Sequence, residues 1–374
     1  MKLRLTGSLI YIALLAFLLS SCASNKHVEA QEFSASRVKC ILEKERQIER
    51  QNPFTERQFV PYLDGKWIGQ AASYGCYRNN QAPGTVGPSK AEILEDLNII
   101  KQHWNMIRVY NADDDTQNIL EVIDENNFPI KVVLGIWLGT EESSPETKQS
   151  NIANVLRGIE LCNQYPDIVN AVIVGNETQV FWTGHRLKID SLVRYIRIVR
   201  KHTTVPVSTA DDYNYWNKPE SKVLASEVDF IVTHAYPLWN GKNLDNAIDW
   251  LDETYTEVAK IHPTKLQILG EIGWATSYNA EKQGDGEQGS LIKGEVGVDA
   301  QGDFLIALDA WICKTQAVTF LFEVFDEPWK GGGMASGINE IEKNWGVFYT
   351  DRSPKKSFVD YLVKKETSRL ILNH

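Results

Sequence analysis

Positive charge is scarce in this chain: 39 Lys and Arg stand against 49 Asp and Glu, a formal net charge of -10. Such a surface repels nucleic acid and anionic lipid, which excludes a polyanion as the natural partner. Cysteine is also sparse, with five in 374 residues, and no pair has the spacing of metal ligands. Beyond the N-terminus no stretch of 18 apolar residues occurs, so no permanent membrane-spanning helix is expected. No glycine-rich phosphate fingerprint follows the first expected strand, no repeat is evident, and no second domain is marked off. What is present is an ordinary globular balance, 43% hydrophobic and 24% charged. Tryptophan and tyrosine are plentiful, 11 and 14. They serve either as large core residues or as flat platforms for ring-bearing ligands, and composition does not choose between the two.

The first 21 residues read as an export signal. Lys2 and Arg4 give a basic start, and Leu9 to Leu19 is an apolar run too short to span a bilayer. It ends in Leu19-Ser20-Ser21-Cys22, which resembles a bacterial lipobox. Cleavage before Cys22 and acylation of that residue are therefore expected. The chain would then be exported and held at a bacterial membrane by lipid alone, at the outer membrane or cell surface rather than the inner membrane. Residues 22–60 form the expected tether. Its small polar part runs from Ala23 to Ser36, and Arg37 to Gln51 has helical periodicity, with Val38, Ile41, Leu42, Glu45 and Ile48 near one face; this helix is expected to pack on the main domain, with a partner-binding helix as the alternative. The pairing state of Cys40, Cys76, Cys162 and Cys313 stays open.

From residue 61 to 366, short apolar runs alternate with helical patterns. Eight runs read as strands: Trp67–Ala71, Met106–Tyr110, Lys131–Ile136, Ala171–Val174, Val205–Thr209, Phe230–His234, Leu266–Gly270 and Thr319–Phe322. Most are apolar on both faces, as buried parallel strands are. Helices are expected over Ser89–His103, capped by Ser89 with Glu92 three residues on, and over Asp190–His202, Leu244–Ile261 and Gly302–Lys314. Eight β/α alternations predict a single (β/α)8 TIM barrel of the α/β class, with a doubly wound sheet as the alternative.

In such a barrel, chemistry gathers at the C-terminal ends of the strands. Those ends carry Tyr110, Asn176 with Glu177, His234 with Tyr236, Glu271, and Glu323. Glu177 and Glu271 each follow an apolar strand, where a carboxylate is costly unless it is paired or hydrogen-bonded. Two carboxyl groups across a barrel mouth suit glycoside hydrolysis: one protonates the leaving oxygen and the other meets the sugar carbon. A structural ion pair with Arg or Lys is the bland alternative. Tyr236, Trp239 and Trp329 best fit rings exposed to a groove. Asp113-Asp114-Asp115 reads as a solvated loop rather than a calcium site, and no metal or cofactor is called for.

Val174-Gly175-Asn176-Glu177, Gly270-Glu271-Ile272-Gly273-Trp274 and Phe325-Asp326-Glu327-Pro328-Trp329-Lys330 together resemble glycoside hydrolase family 17. Ile107-Arg108-Val109-Tyr110, Asp229 through Pro237 and Asn344-Trp345-Gly346-Val347-Phe348 extend the likeness. It implies a retaining enzyme on β-1,3-glucan, with Glu177 as acid/base and Glu271 as nucleophile. Asn176 would meet the sugar 2-hydroxyl, and Tyr110 and Tyr236 would line the cleavage subsite. Glu327 and Lys330 would hold sugar hydroxyls, with Glu323 in the microbial form of the same element. The expected partner is thus a β-glucan, met by a monomer. The Gly-rich stretch from Tyr278 to Asp303 departs from the commoner family pattern, and reads as a flap or a surface insertion. Endo-hydrolysis is the leading expectation. A transglycosylase using the same glutamates, and a non-catalytic glucan-binding lipoprotein, are the alternatives.

Overall fold

The computed structural model describes residues 32–45, 47–142, 144–277, 291–330 and 340–372. The expected signal and Cys22 lie outside these residues, as does 278–290 of the Gly-rich stretch. Eight parallel strands close into a barrel. In chain order they are β3 (Gln70–Ser73), β4 (Met106–Val109), β5 (Lys131–Ile136), β6 (Val169–Asn176), β7 (Val207–Asp212), β8 (Ile231–His234), β9 (Gln267–Ile272) and β10 (Thr319–Leu321). Each pairs with its sequence neighbour, and β10 closes the ring on β3.

The first strand starts later than the sequence suggests. Lys66–Trp67 (β2) pairs antiparallel with Tyr62–Leu63 (β1), and the barrel strand begins at Gln70. Asp64 and Gly65 have φ of 49° and 76°, a two-residue turn of the kind that favours Asp-Gly. The Trp67 ring then folds over Gly69, where a Cβ would lie 2.2 Å from a ring carbon. The run Trp67–Ala71 is therefore broken in the middle.

Side chains alternate in and out of the barrel. In β4, Met106 belongs to the inner cluster and Ile107 and Val109 to the outer one; in β6, Ala171 and Ile173 point in while Val172 and Val174 point out. The inner cluster, with Phe59, Phe230, Val232, Ile268 and Phe320, fills the N-terminal half of the barrel. Higher up, the inward rows turn polar: Met106 gives way to Arg108 and Val232 to His234. That change of character positions the site.

The outer layer contains α1 (Ala35–Lys44), α2 (Lys90–Ile100), α3 (Asp114–Glu125), α4 (Pro145–Gln164), α5 (Ile189–His202), α6 (Tyr213–Trp216), α7 (Lys222–Ala225), α8 (Leu244–Ile261), α9 (Val298–Thr315) and α10 (Lys356–Leu372). The Ser89 capping box opens α2 with both reciprocal hydrogen bonds. Asp190 lies in the first turn of α5, where its charge suits the helix dipole. Helix α9 begins at Val298, so the last part of the expected loop is helical. Residues just before it are tied down, with Trp274 Nε1 donating to the Glu295 carbonyl (2.9 Å). Helix α1 is shorter than its periodicity suggests. It buries Val38 and Leu42 and packs on α4, so this part of the expected tether belongs to the fold. Among the described residues no disulfide forms: Cys76 and Cys162 are buried thiols, and Cys40 and Cys313 lie at the surface. No described helix is long and apolar enough to cross a membrane.

Candidate active site

Strand β6 ends in an irregular turn. Its register with β7 shifts between Ile173 and Asn176, Gly175 has φ of 78°, and Glu177 itself has φ of 48°. A non-glycine residue there stores local strain, and the Glu177 N–H donating to the Ala210 carbonyl (2.9 Å) helps to hold it. The β8–β9 register shifts as well, between Thr233 and His234, which brings His234 opposite Glu271. Both irregularities re-aim side chains at the mouth, a common use of bulges.

Those shifts assemble one network. Arg108 Nη1 lies 3.0 Å from Glu271 Oε1 and 2.9 Å from His234 Nε2, while Nη2 donates to Asn176 Oδ1. Arginine only donates, so His234 Nε2 is an acceptor and the proton sits on Nδ1. That Nδ1–H donates to Glu177 Oε1 at 2.8 Å. Asn176, with its oxygen taken by Arg108, presents its amide N–H groups outward. One polar atom from each of Glu177, His234 and Glu271 falls within 4.8 Å of the other two. Such a trio could invite a cation. Here both ring nitrogens are already engaged and a guanidinium lies on Glu271, which favours proton chemistry over metal binding.

Glu271 is buried and Glu177 is about one quarter exposed. Burial pushes the Glu271 carboxyl up. His234, Arg108 and hydrogen bonds from Tyr236 and Tyr110 outweigh it, so the net shift is downward. The Tyr236 hydroxyl donates to Glu271 Oε2 at 2.7 Å, and the Tyr110 hydroxyl lies 3.0 Å from Ser73 Oγ.

A second charged knot stands beside this one. Lys330 Nζ lies 2.7 Å from Glu323 Oε2 and 2.6 Å from Glu327 Oε2, and Trp329 Nε1 donates to Glu327 Oε1 at 2.9 Å. Burial raises the Glu323 carboxyl well above its usual range, with Lys330 opposing and Glu327 adding. Burial acts on Glu327 too, but Lys330 and a hydrogen bond from Glu323 bring it down. The two carboxyl groups around Lys330 are thus driven apart in acidity, Glu323 upward and Glu327 downward. Gly75 leaves room for the knot: a Cβ there would lie 2.0 Å from Glu327 Oε1.

Between the knots lies a cavity of about 500 Å³, lined by Tyr110, Asn176, Glu271, Glu327, Trp329 and Lys330 among others. The sequence-predicted Tyr236 touches it through Glu271. Trp239 is not part of its wall; it is half-buried, with its ring 5.9 Å from that of Trp345. Asp113 to Asp115 do not form a loop. Asp113 caps α3 by accepting from Thr116 N (2.9 Å), and Asp115 lines the cavity while accepting from the Tyr77 hydroxyl (3.0 Å). Two residues outside the expected set, Arg108 and Glu342, belong to the site, and His234, expected at a strand tip without a role, joins them. Arg108 was visible as a charge on the inward row of an apolar strand. His234 was visible at a strand tip. Glu342, half-buried at the cavity wall, sits just before the Asn344 to Phe348 motif and follows no strand, so strand reading does not reach it.

A sugar-sized cavity at the C-terminal face of a (β/α)8 barrel, with two carboxyl groups facing each other, is the layout of a glycoside hydrolase. The chain belongs to the BtgE/BtgC glycoside hydrolase domain family, whose model matches residues 71–346. An Aspergillus niger protein named "Putative glucan endo-1,3-beta-glucosidase btgC" is 29% identical over 284 residues, 72% of this chain and 40% of that protein. An Arthroderma benhamiae protein named "Glucan 1,3-beta-glucosidase" is 27% identical over 76% of this chain and 90% of its own length. The chain therefore spans less than half of the Aspergillus relative. Among solved structures, an endo-laminarinase from Formosa Hel1_33_131 shares the fold with a TM-score of 0.66 at 23% identity, over 80% of this chain and 88% of that one. A glycoside hydrolase family 17 β-1,3-glucanosyltransferase from Rhizomucor miehei does so at 0.58 and 24%, over 77% and 95%.

Proposed function

We propose that this protein is a retaining glycoside hydrolase that cuts β-1,3-glucan within the chain. The observation that carries the reading is the approach of Glu177 and Glu271, each with an oxygen inside 4.8 Å of the other. Retaining enzymes hold their carboxyl groups about 5–5.5 Å apart, whereas inverting ones need about 6.5–9.5 Å to seat a water. The names of the relatives supply the linkage.

Glu271, ionised by the donors around it, attacks the anomeric carbon, and the bond to the leaving oxygen breaks. Glu177 gives its proton to that oxygen. Its Oε1 is occupied by His234 Nδ1–H, so the proton leaves from Oε2. Water then enters, gives a proton back to Glu177, and displaces Glu271 from the sugar carbon. Asn176 meets the 2-hydroxyl through its free amide, and Tyr236 steadies Glu271 between steps. Tyr110 and Trp329 wall the sugar, and the knot of Glu323, Glu327 and Lys330 meets its hydroxyls. Trp239, half-buried beside Trp345, offers a further ring to the bound chain. The protein acts as a monomer of one catalytic domain, residues 61–366, exported and anchored through lipid on Cys22.

The test is product sizing on linear β-1,3-glucan by the purified protein beside Glu177→Gln and Glu271→Gln. Shortening chains from the wild type, with at least about a thousandfold loss in both variants, is the expected result. Products longer than the starting oligosaccharides would make transfer the main reaction. Binding without turnover would sink the hydrolase reading on this polymer. Loss of membrane association and of fatty-acid labelling in Cys22→Ser is expected for the anchor.

A further inference from the structure

Two large neighbouring rings stand out from the surface. Phe181 is 81% exposed and Trp182 is 44% exposed, and they meet edge to face with centroids 4.9 Å apart. They lie in the loop that leaves Glu177 and returns to α5. The base of that loop is fixed. Leu187 N–H donates to the Thr178 carbonyl (3.1 Å), Gln179 N–H donates to Asp211 Oδ2 (2.8 Å), and Val180 is buried. His185 Nε2 lies 2.8 Å from the Asn176 carbonyl, and its ring packs on Trp137 at 4.5 Å. Trp137, itself 36% exposed, also lines the cavity. Two ring pairs thus stand in this region, Trp137 with His185 at the cavity wall and Phe181 with Trp182 on the loop.

The site's own geometry says which part of a glucan would lie there. The sugar attacked by Glu271 must occupy the cavity that Glu271 lines. The bond being cut points towards Glu177, which stands at the rim and is not part of the cavity wall. The departing part of the chain therefore continues past Glu177, and the next residues it reaches are those of this loop. Pyranose rings have apolar faces that stack on aromatic side chains, and exposed rings held on a pinned loop do so with little ordering cost.

We propose that Phe181 and Trp182, on the loop that follows Glu177, form a platform for the glucosyl units on the acceptor side of the cleaved bond. The inference rests on the β-1,3-glucan reading and adds where the second half of the substrate binds. The platform holds the leaving oligosaccharide before cleavage. After cleavage it holds an incoming one against water, and so sets the balance of hydrolysis and transfer. The transfer step balances simply: an acceptor hydroxyl gives its proton to Glu177, its oxygen bonds the anomeric carbon, and the bond to Glu271 breaks.

The experiment compares two substrates in the wild type and in the double variant Phe181→Ala/Trp182→Ala. One is a linear β-1,3-glucan. The other is a laminaribioside carrying a small nitrophenyl leaving group, which places no sugar on the platform. The expected result is a tenfold or greater fall in kcat/KM on the glucan, carried mainly by KM, and at least five times the fall on the aryl glycoside. Transfer to added laminari-oligosaccharide should fall relative to hydrolysis, and Phe181→Tyr/Trp182→Tyr should restore most of both. Equal losses on the two substrates would overturn the platform in favour of a structural role for the loop. Unchanged glucan kinetics in the double variant would overturn it too, leaving the rings to a membrane or a second copy of the chain. A wild type that turns over neither substrate would instead overturn the glucanase reading, and this proposal with it.

Discussion

Arg108 is the residue on which the site's charges are arranged. It is buried, it touches Glu271, His234 and Asn176, and its carbon framework replaces what would be an apolar layer of the barrel. By only donating, it fixes the tautomer of His234 and the orientation of the Asn176 amide. Tyr236 works beside it, and Tyr236→Phe removes a hydrogen bond to a charged carboxylate, worth about 1.5–3 kcal/mol. We expect kcat/KM to fall about ten- to a hundredfold. The acid limb of the pH–rate profile should also move up, because the downward shift of Glu271 is partly lost. An unmoved limb would remove Tyr236 from the groups that ionise Glu271. Glu342 titrates in the opposite sense. Burial, then the charges of Glu177 and Glu271 against Lys330, push its carboxyl to about 7 from a usual 4.5. The folded state thus holds this proton more tightly than the unfolded one. That stabilisation is complete below the unfolded value and is lost as pH rises through about 7. Relative to wild type, Glu342→Gln should therefore gain about 1–2 kcal/mol between acid and mildly alkaline pH, after allowance for solvent screening. Denaturant melts at the two ends of that range check it; a constant difference would mean that Glu342 does not titrate there.

At the scale of elements, the ends of β9 and β10 approach so closely that only glycine fits between them. A Cβ on Gly273 would lie 2.0 Å from the Phe322 carbonyl oxygen, a backbone atom with no freedom to turn away. Gly273→Ala should cost about 1–3 kcal/mol of stability. Because Gly273 is two residues from Glu271, the variant should also lose kcat out of proportion to its stability. A shift of about 1 Å at a reacting group costs about a hundredfold. Thermal melts with single-turnover kinetics at a temperature where the variant is folded separate the two effects. Strands that are apolar on both faces announced themselves, and Lys131–Ile136 is bounded as its pattern implies. The run at Trp67 was misplaced because an Asp-Gly turn and a ring over Gly69 break it. The acidic triplet at 113–115 was misread because its first member is a helix cap, a role that the preceding backbone decides.

For the whole molecule, the helix before the barrel is part of the body. Val38 and Leu42 of α1 are fully buried, and Arg194 of α5 donates to the carbonyls of Leu42 and Glu45. Leu42→Ala should cost about 2–5 kcal/mol of stability. It should leave kcat/KM within about twofold well below the melting temperature, since α1 packs on α4 and α5 in the outer layer and not among the inward rows that carry the site. An unchanged melt would return α1 to the tether. At the same scale, the N-terminal half of the barrel is filled by apolar side chains and the C-terminal half by charged ones. Stability and chemistry are thus separated along the barrel axis.

The sequence by itself determined the barrel, because eight buried parallel strands must each be nearly continuous in apolar residues. It determined Glu177 and Glu271 as candidates, because a carboxyl group directly after such a strand has no cheap place to go. It also carried the family motifs. Only the tertiary structure decided what surrounds them. The bulges in β6 and β9, the turn of His234 towards both glutamates, the place of Glu342 and the packing of Trp137 on His185 all depend on distances between residues far apart in the chain. Periodicity reports which face of an element is buried, and it carries no information about which other element that face will meet.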